Sequence, residues 1–162
     1  MGNHIRTVFV GVVAVATVGC ASARLEVLRP LPAPERRVAL RLEGAPGSKL
    51  TDDQRDRYQS LLTSRLSEKG VTVIAAQPDA HLAKGMVDKY NRGSRALRYF
   101  IGFGAGRGTL DSHWDVIDQK GDVLGACRIK GNITLGVFGG NFDDVLEKSG
   151  DRLAEFLSGS TR

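Results

Sequence analysis

Apolar residues recur along this chain at two periods, near 2 and near 3.6, and the changes between them mark out its elements. Residues 38–42 alternate around Arg41 and predict a first strand. Ala45-Pro46-Gly47 turns the chain. Thr51-Asp52-Asp53-Gln54 has the spacing of a capping box, so a helix opens at Thr51. Tyr58, Leu61, Leu62, Arg65 and Leu66 share one stripe of that helix, and Lys69-Gly70 closes it. Residues 71–75 are short and β-branched, a second strand. Residues 80–90 alternate as a third, in which Gly85 marks a bulge or a close neighbour. Residues 109–117 and 122–131 predict a hairpin across Asp118-Gln119-Lys120-Gly121. A last helix spans 143–157, with Val145, Leu146, Ser149, Leu153, Phe156 and Leu157 on one face. The order is β-α-β-β-β-β-α. The fold expected is α/β (α+β), a single mixed or antiparallel sheet with the helices packed on one face.

The amino-terminal residues follow neither period. Arg6 precedes an uncharged run of thirteen residues, 7–19, rich in Val and Ala. As a helix this run is too short for a hydrocarbon layer of about 30 Å. A positive start, a short apolar run and small residues at its exit form an export signal. Two exits compete. Val18-Gly19-Cys20 resembles the lipobox of bacterial lipoproteins, with Thr17 where Leu is usual, and it makes Cys20 the lipidated residue. Ala21-Ser22-Ala23 offers instead an ordinary cleavage before Arg24, leaving a soluble periplasmic or secreted protein. The lipid anchor is the preferred reading. Neither Ala21 nor Ser22 is Asp, so the sorting rule of lipoproteins implies the periplasmic face of an outer membrane. The division expected is a signal peptide over 1–19, a lipidated Cys20 with an extended Pro30/Pro32/Pro34 tether over 20–37, and one globular domain over 38–162.

Composition narrows the chemistry. Removing residues 1–19 takes away Arg6 and no acid, so the net charge falls only from +5 to +4. An exported chain this modestly basic is not expected to bind nucleic acid. Cys127 is then the one remaining Cys besides the anchor, and its apolar surroundings, Val123-Leu124-Gly125-Ala126, mark it as a small core residue. Asp111, His113 and Asp115 alternate, so they share a strand face that could in principle hold a metal; a solvated sheet face is the simpler reading. Trp114 then points the other way, with Leu110 and Val116, into the core. No serine lies in a G-x-S-x-G elbow. The chain is therefore read as non-catalytic and without a cofactor.

Residues 92–108 invite a functional reading. Arg92, Arg95, Arg98 and Arg107 flank Tyr99, Phe100, Ile101 and Phe103, and glycines occupy every second position from Gly102 through Gly104 and Gly106 to Gly108. No register completes G-x-G-x-x-G, and Gly-Lys-Ser/Thr is absent, so a phosphate cradle is excluded. Arg95, Arg98, Tyr99, Phe100, Phe103 and Arg107 are the candidates for contact with a partner or a membrane; Gly102, Gly104 and Gly106 are structural. Gly93-Ser94-Arg95-Ala96-Leu97-Arg98, the run Ile101-Gly102-Phe103-Gly104-Ala105-Gly106 and the Asp118-x-x-Gly121 turn together resemble a bacterial lipoprotein family, domain of unknown function 4410, over about residues 70–157. The resemblance implies an envelope location and an α/β fold and carries over no catalytic residue. The function expected is a binding or assembly lipoprotein of the envelope, joined to the membrane by its lipid and to a protein partner or to copies of itself. The alternatives are a metal-dependent enzyme using Asp111, His113 and Asp115, and an oligomeric export component.

Overall fold

The computed structural model describes residues 21–78, 80–93, 108–133 and 141–160. They form one six-stranded mixed sheet with two helices on one face, as the alternation predicts. The strands are β1 (Ala21–Arg29), β2 (Arg37–Gly44), β3 (Thr72–Ile74), β4 (His81–Asn91), β5 (Thr109–Ile117) and β6 (Val123–Ile133); the helices are α1 (Asp52–Glu68) and α2 (Phe142–Leu157). Across the sheet the order is β1-β6-β5-β4-β2-β3. β1, β6, β5 and β4 are antiparallel neighbours, whereas β2 runs parallel to both β4 and β3.

The element order corrects the expectation at the amino-terminal side: it is β-β-α-β-β-β-β-α. Ala21–Arg29, expected as the first half of a tether, is an edge strand, with Ala21 opposite Ile133 and Leu25 opposite Ile129. Its alternation is physical. Ala23 and Leu25 pack against the core while Ser22, Arg24 and Glu26 are exposed. The prolines follow the strand, where they cost the sheet nothing. Residues 30–36 then pass beneath the end of α2: Leu31 lies over Gly125, and the Glu35 amide donates to the Leu157 carbonyl at 2.7 Å.

The capping box is complete. The Gln54 amide donates to Thr51 Oγ1 at 3.4 Å, and the Thr51 amide to Gln54 Oε1 at 3.1 Å. At the other end Gly70 adopts φ +79°, a conformation a side chain would resist. α1 buries Tyr58, Leu62 and Leu66; Leu61 is only half-buried, and Arg65 leaves the stripe to grip Asp151 of α2 through Nη2 at 2.9 and 3.0 Å. Gly150 of α2 costs up to about 1 kcal/mol of helix propensity. Its position explains the cost, since a Cβ there would stand 2.9 Å from Arg65 Cβ, and the two helices meet at this point.

Between helices and sheet lies the core: Leu110, Trp114, Val116, Cys127 and Ile129 from the strands meet Leu62, Leu66, Leu146, Leu153 and Leu157 from the helices, each no more than 1 % exposed. Gly85 sits opposite Trp114, and any Cβ on it would overlap the indole ring. The close neighbour expected at Gly85 is therefore Trp114.

Candidate functional site

Asp111, His113 and Asp115 do share the sheet face away from the helices, as their spacing requires. None of the described elements covers that face. Its charges engage one another instead. Arg128 Nε donates to Asp111 Oδ1 at 2.8 Å, and His113 Nδ1 lies 3.0 Å from Asp88 Oδ2, with Arg128 Nη2 3.8 Å from the same oxygen. Outward from this centre, Lys130 pairs with Glu26 and Lys84 with Glu43, both at 3.4 Å. The Asp111 hydrogen bond and charge hold the Arg128 guanidinium above its ordinary range. Among the described residues no three His, Cys, Asp or Glu side chains converge as a metal would need. The arrangement is a ladder of cross-strand ion pairs, which sets register and solubility and contributes little to stability.

Cys127 faces the core and has no solvent exposure. Burial pushes its thiol up to about 12, and the Asp115 charge adds to the effect. The nucleophilic thiolate is therefore suppressed at neutral pH. Tyr58 reaches the same core, and burial raises its hydroxyl as well. Trp114 Nε1 donates to the buried Ser112 Oγ at 3.2 Å. These polar groups are enclosed in the core between the sheet and the helices.

Cys20 and the candidates Arg95, Arg98, Tyr99, Phe100, Phe103 and Arg107, with Gly102, Gly104 and Gly106, lie outside the described residues. Their flanks do not. Ser22, Asn132, Thr109 and Asn91 form one row of paired positions across β1, β6, β5 and β4. Ala21, which follows Cys20, thus stands at the same end of the sheet as Gly93 and Gly108. The first turns of both helices lie there too: Phe142 of α2 packs edge-on against Tyr90 at 5.0 Å, and Arg57 of α1 pairs with Asp143.

Two residues that the sequence does not single out hold β1 in place. Lys148 Nζ donates to the Ala21 carbonyl at 2.6 Å, and Arg152 Nε to the Ala23 carbonyl at 3.0 Å. They cover edge carbonyls that would otherwise invite another strand. On α2 they read as ordinary solvated cations, and no local pattern links them to a strand more than a hundred residues away. In the groove beside them Lys69 lies 3.8 Å from Asp151 and Arg152 Nη1 pairs with Glu155 at 2.7 Å, so these cations already have partners.

A family model described as a domain of unknown function, DUF4410, matches residues 45–136. The chain belongs to the DUF4410 family. The match begins earlier than the resemblance read from the sequence, taking in α1, and ends soon after β6. No curated protein matches the chain. Among solved structures the DUF4410 chain is similar in fold to the PelC dodecamer from Paraburkholderia phytofirmans, at 15 % identity and a TM-score of 0.56, covering 86 % of this chain and 99 % of that one. A point variant of the same PelC dodecamer matches with a TM-score of 0.55 at 15 % identity, over 86 % of this chain and 98 % of that one. At this identity the likeness establishes a shared fold.

Proposed function

We propose that this protein is a non-catalytic lipoprotein of the bacterial envelope, anchored through Cys20 to the periplasmic face of the outer membrane, that assembles with copies of itself. The observation that carries the anchor is the placement of Ala21–Ala23. Cleavage before Arg24 would delete three residues that pair with Ile133, Asn132 and Gly131 and that supply the acceptors for Lys148 and Arg152. Cleavage before Cys20 keeps all of them. The fold therefore favours the lipobox over the A-x-A exit. Self-association is supported by the dodecameric state named for the PelC structures that share this fold. The absence of catalysis is supported by a suppressed Cys127 thiol, by the ion pair of Asp111 with Arg128 and by the contact of His113 with Asp88.

The test is fractionation of the native host followed by sizing in detergent. The wild-type protein is expected in the outer-membrane fraction and, after extraction, in a species several times the monomer mass. Cys20→Ala is expected to leave that fraction. A wild-type protein that is soluble after lysis contradicts the anchor, and a monomer in mild detergent contradicts the assembly.

A further inference from the structure

The pairing of Ala21 decides how an anchored domain can move. Between Cys20 and the sheet there is no linker: Ala21 is already paired with Ile133, and its carbonyl is held by Lys148. One residue adds only about 3.8 Å of reach. We infer that, given the anchor proposed above, the domain does not swing on a tether but is held end-on. The Ala21/Asn91/Ile133 end lies against the bilayer, and the Asp118–Asp122 turn points away from it.

The two ends are far apart on this scale. β6 runs eleven residues from Val123 to Ile133, roughly 35 Å at 3.2–3.4 Å per residue. Exposed residues at the near end include Lys49, Asn91, Arg92 and Asn132, while Lys120 is exposed at the far turn. Among the described residues charge does not set this orientation. Lys49 and Arg92 share the near end with Asp52 and Asp53, which begin α1. What orients the domain is the short covalent link and the clamped strand, so the occupant of this surface is a lipid bilayer of either headgroup charge.

The experiment uses the full-length lipoprotein, purified from host membranes and reconstituted into phosphatidylethanolamine/phosphatidylglycerol vesicles that carry a headgroup nitroxide lipid. Arg92→Cys and, separately, Lys120→Cys are labelled with a fluorophore; Cys127 is buried and does not compete for label. The Arg92 label is expected to lose most of its emission to the nitroxide, and the Lys120 label to keep the emission it has in nitroxide-free vesicles. A ten-residue Gly/Ser insertion between Cys20 and Ala21, with a reach of roughly 16–19 Å, is expected to remove the contrast. Equal emission from the two labels in protein of lipidated mass overturns the orientation and leaves the anchor standing, and a contrast that survives the insertion overturns the short link as the cause of the orientation. A mass without acyl chains removes both.

Discussion

The two faces of this sheet are made from the same strands, and they are opposites. On β5 the residues Leu110, Ser112, Trp114 and Val116 are buried under the helices, while Asp111, His113 and Asp115, interleaved with them, are half-exposed. On β6 Cys127, Ile129 and Ile133 are buried, and Arg128 and Lys130 face the other way. One face is fitted to side chains from α1 and α2. The other is a lattice of charges that satisfy one another and meet water. The contrast separates what holds the protein together from what fixes strand register at the surface. On the first face the Cys127 thiol is buried, and on the second Asp111 is paired with Arg128 while His113 lies beside Asp88.

The comparison breaks most visibly at Trp114. Trp114→Ala removes the largest fully buried side chain and leaves the space over Gly85 empty. The expected loss is about 3–5 kcal/mol, read as a lower denaturant midpoint in chemical unfolding with little change in slope. A loss comparable to that of a surface residue would mean that the core is not organised around this ring.

A second effect, on the same face, depends on pH. The folded-state pKa of Cys127 is raised by burial from the ordinary 9.0 to about 12. Below pH 9 both states keep the proton, so the group adds no pH dependence. As pH rises from 9 towards 12 the unfolded chain ionises and the folded one does not, so stability falls by about 1.4 kcal/mol per unit at most. Tyr58 is raised in the same direction and steepens the fall above its ordinary value of 10.0. Unfolding midpoints measured across pH 8–11 should decline, and less steeply in Cys127→Ala.

The smallest effect belongs to the open face. Asp111→Asn weakens the Arg128 contact, yet exposed pairs of this kind gain little in water and are screened by salt. Its unfolding midpoint is expected to move by a small fraction of the Trp114 shift, and less still in high salt. A large destabilisation would show that this face is covered in the working protein.

Much of this division is legible in the amino-acid sequence. Period-two spacing assigns Trp114 to the core and Asp111, His113 and Asp115 to the opposite face, because a strand leaves a side chain no other choice. The capping box locates the start of α1 to the residue. The partners of individual residues are not legible in the same way. Gly85 announces a close neighbour but cannot name Trp114, and Gly150 shows its cost without its reason, since Arg65 meets it only once two distant helices pack. β1 is hidden for a different cause. The alternation of Ala21, Ala23, Leu25 and Val27 is present, but two of its four residues are small. Their sequence also matches the small-residue exit expected of an export signal, and the prolines that follow make the whole stretch read as a tether. The candidate contact residues between Arg95 and Arg107 lie outside the described residues.

The proposed anchor at Cys20 is tested most directly by the intact mass of the mature protein from its host's membranes beside a Cys20→Ala control. A chain beginning at Cys20 with added acyl chains, lost in the control, is expected. A chain beginning at Arg24 without lipid would contradict the anchor, and would require β1 to start three residues later than it does in this sheet.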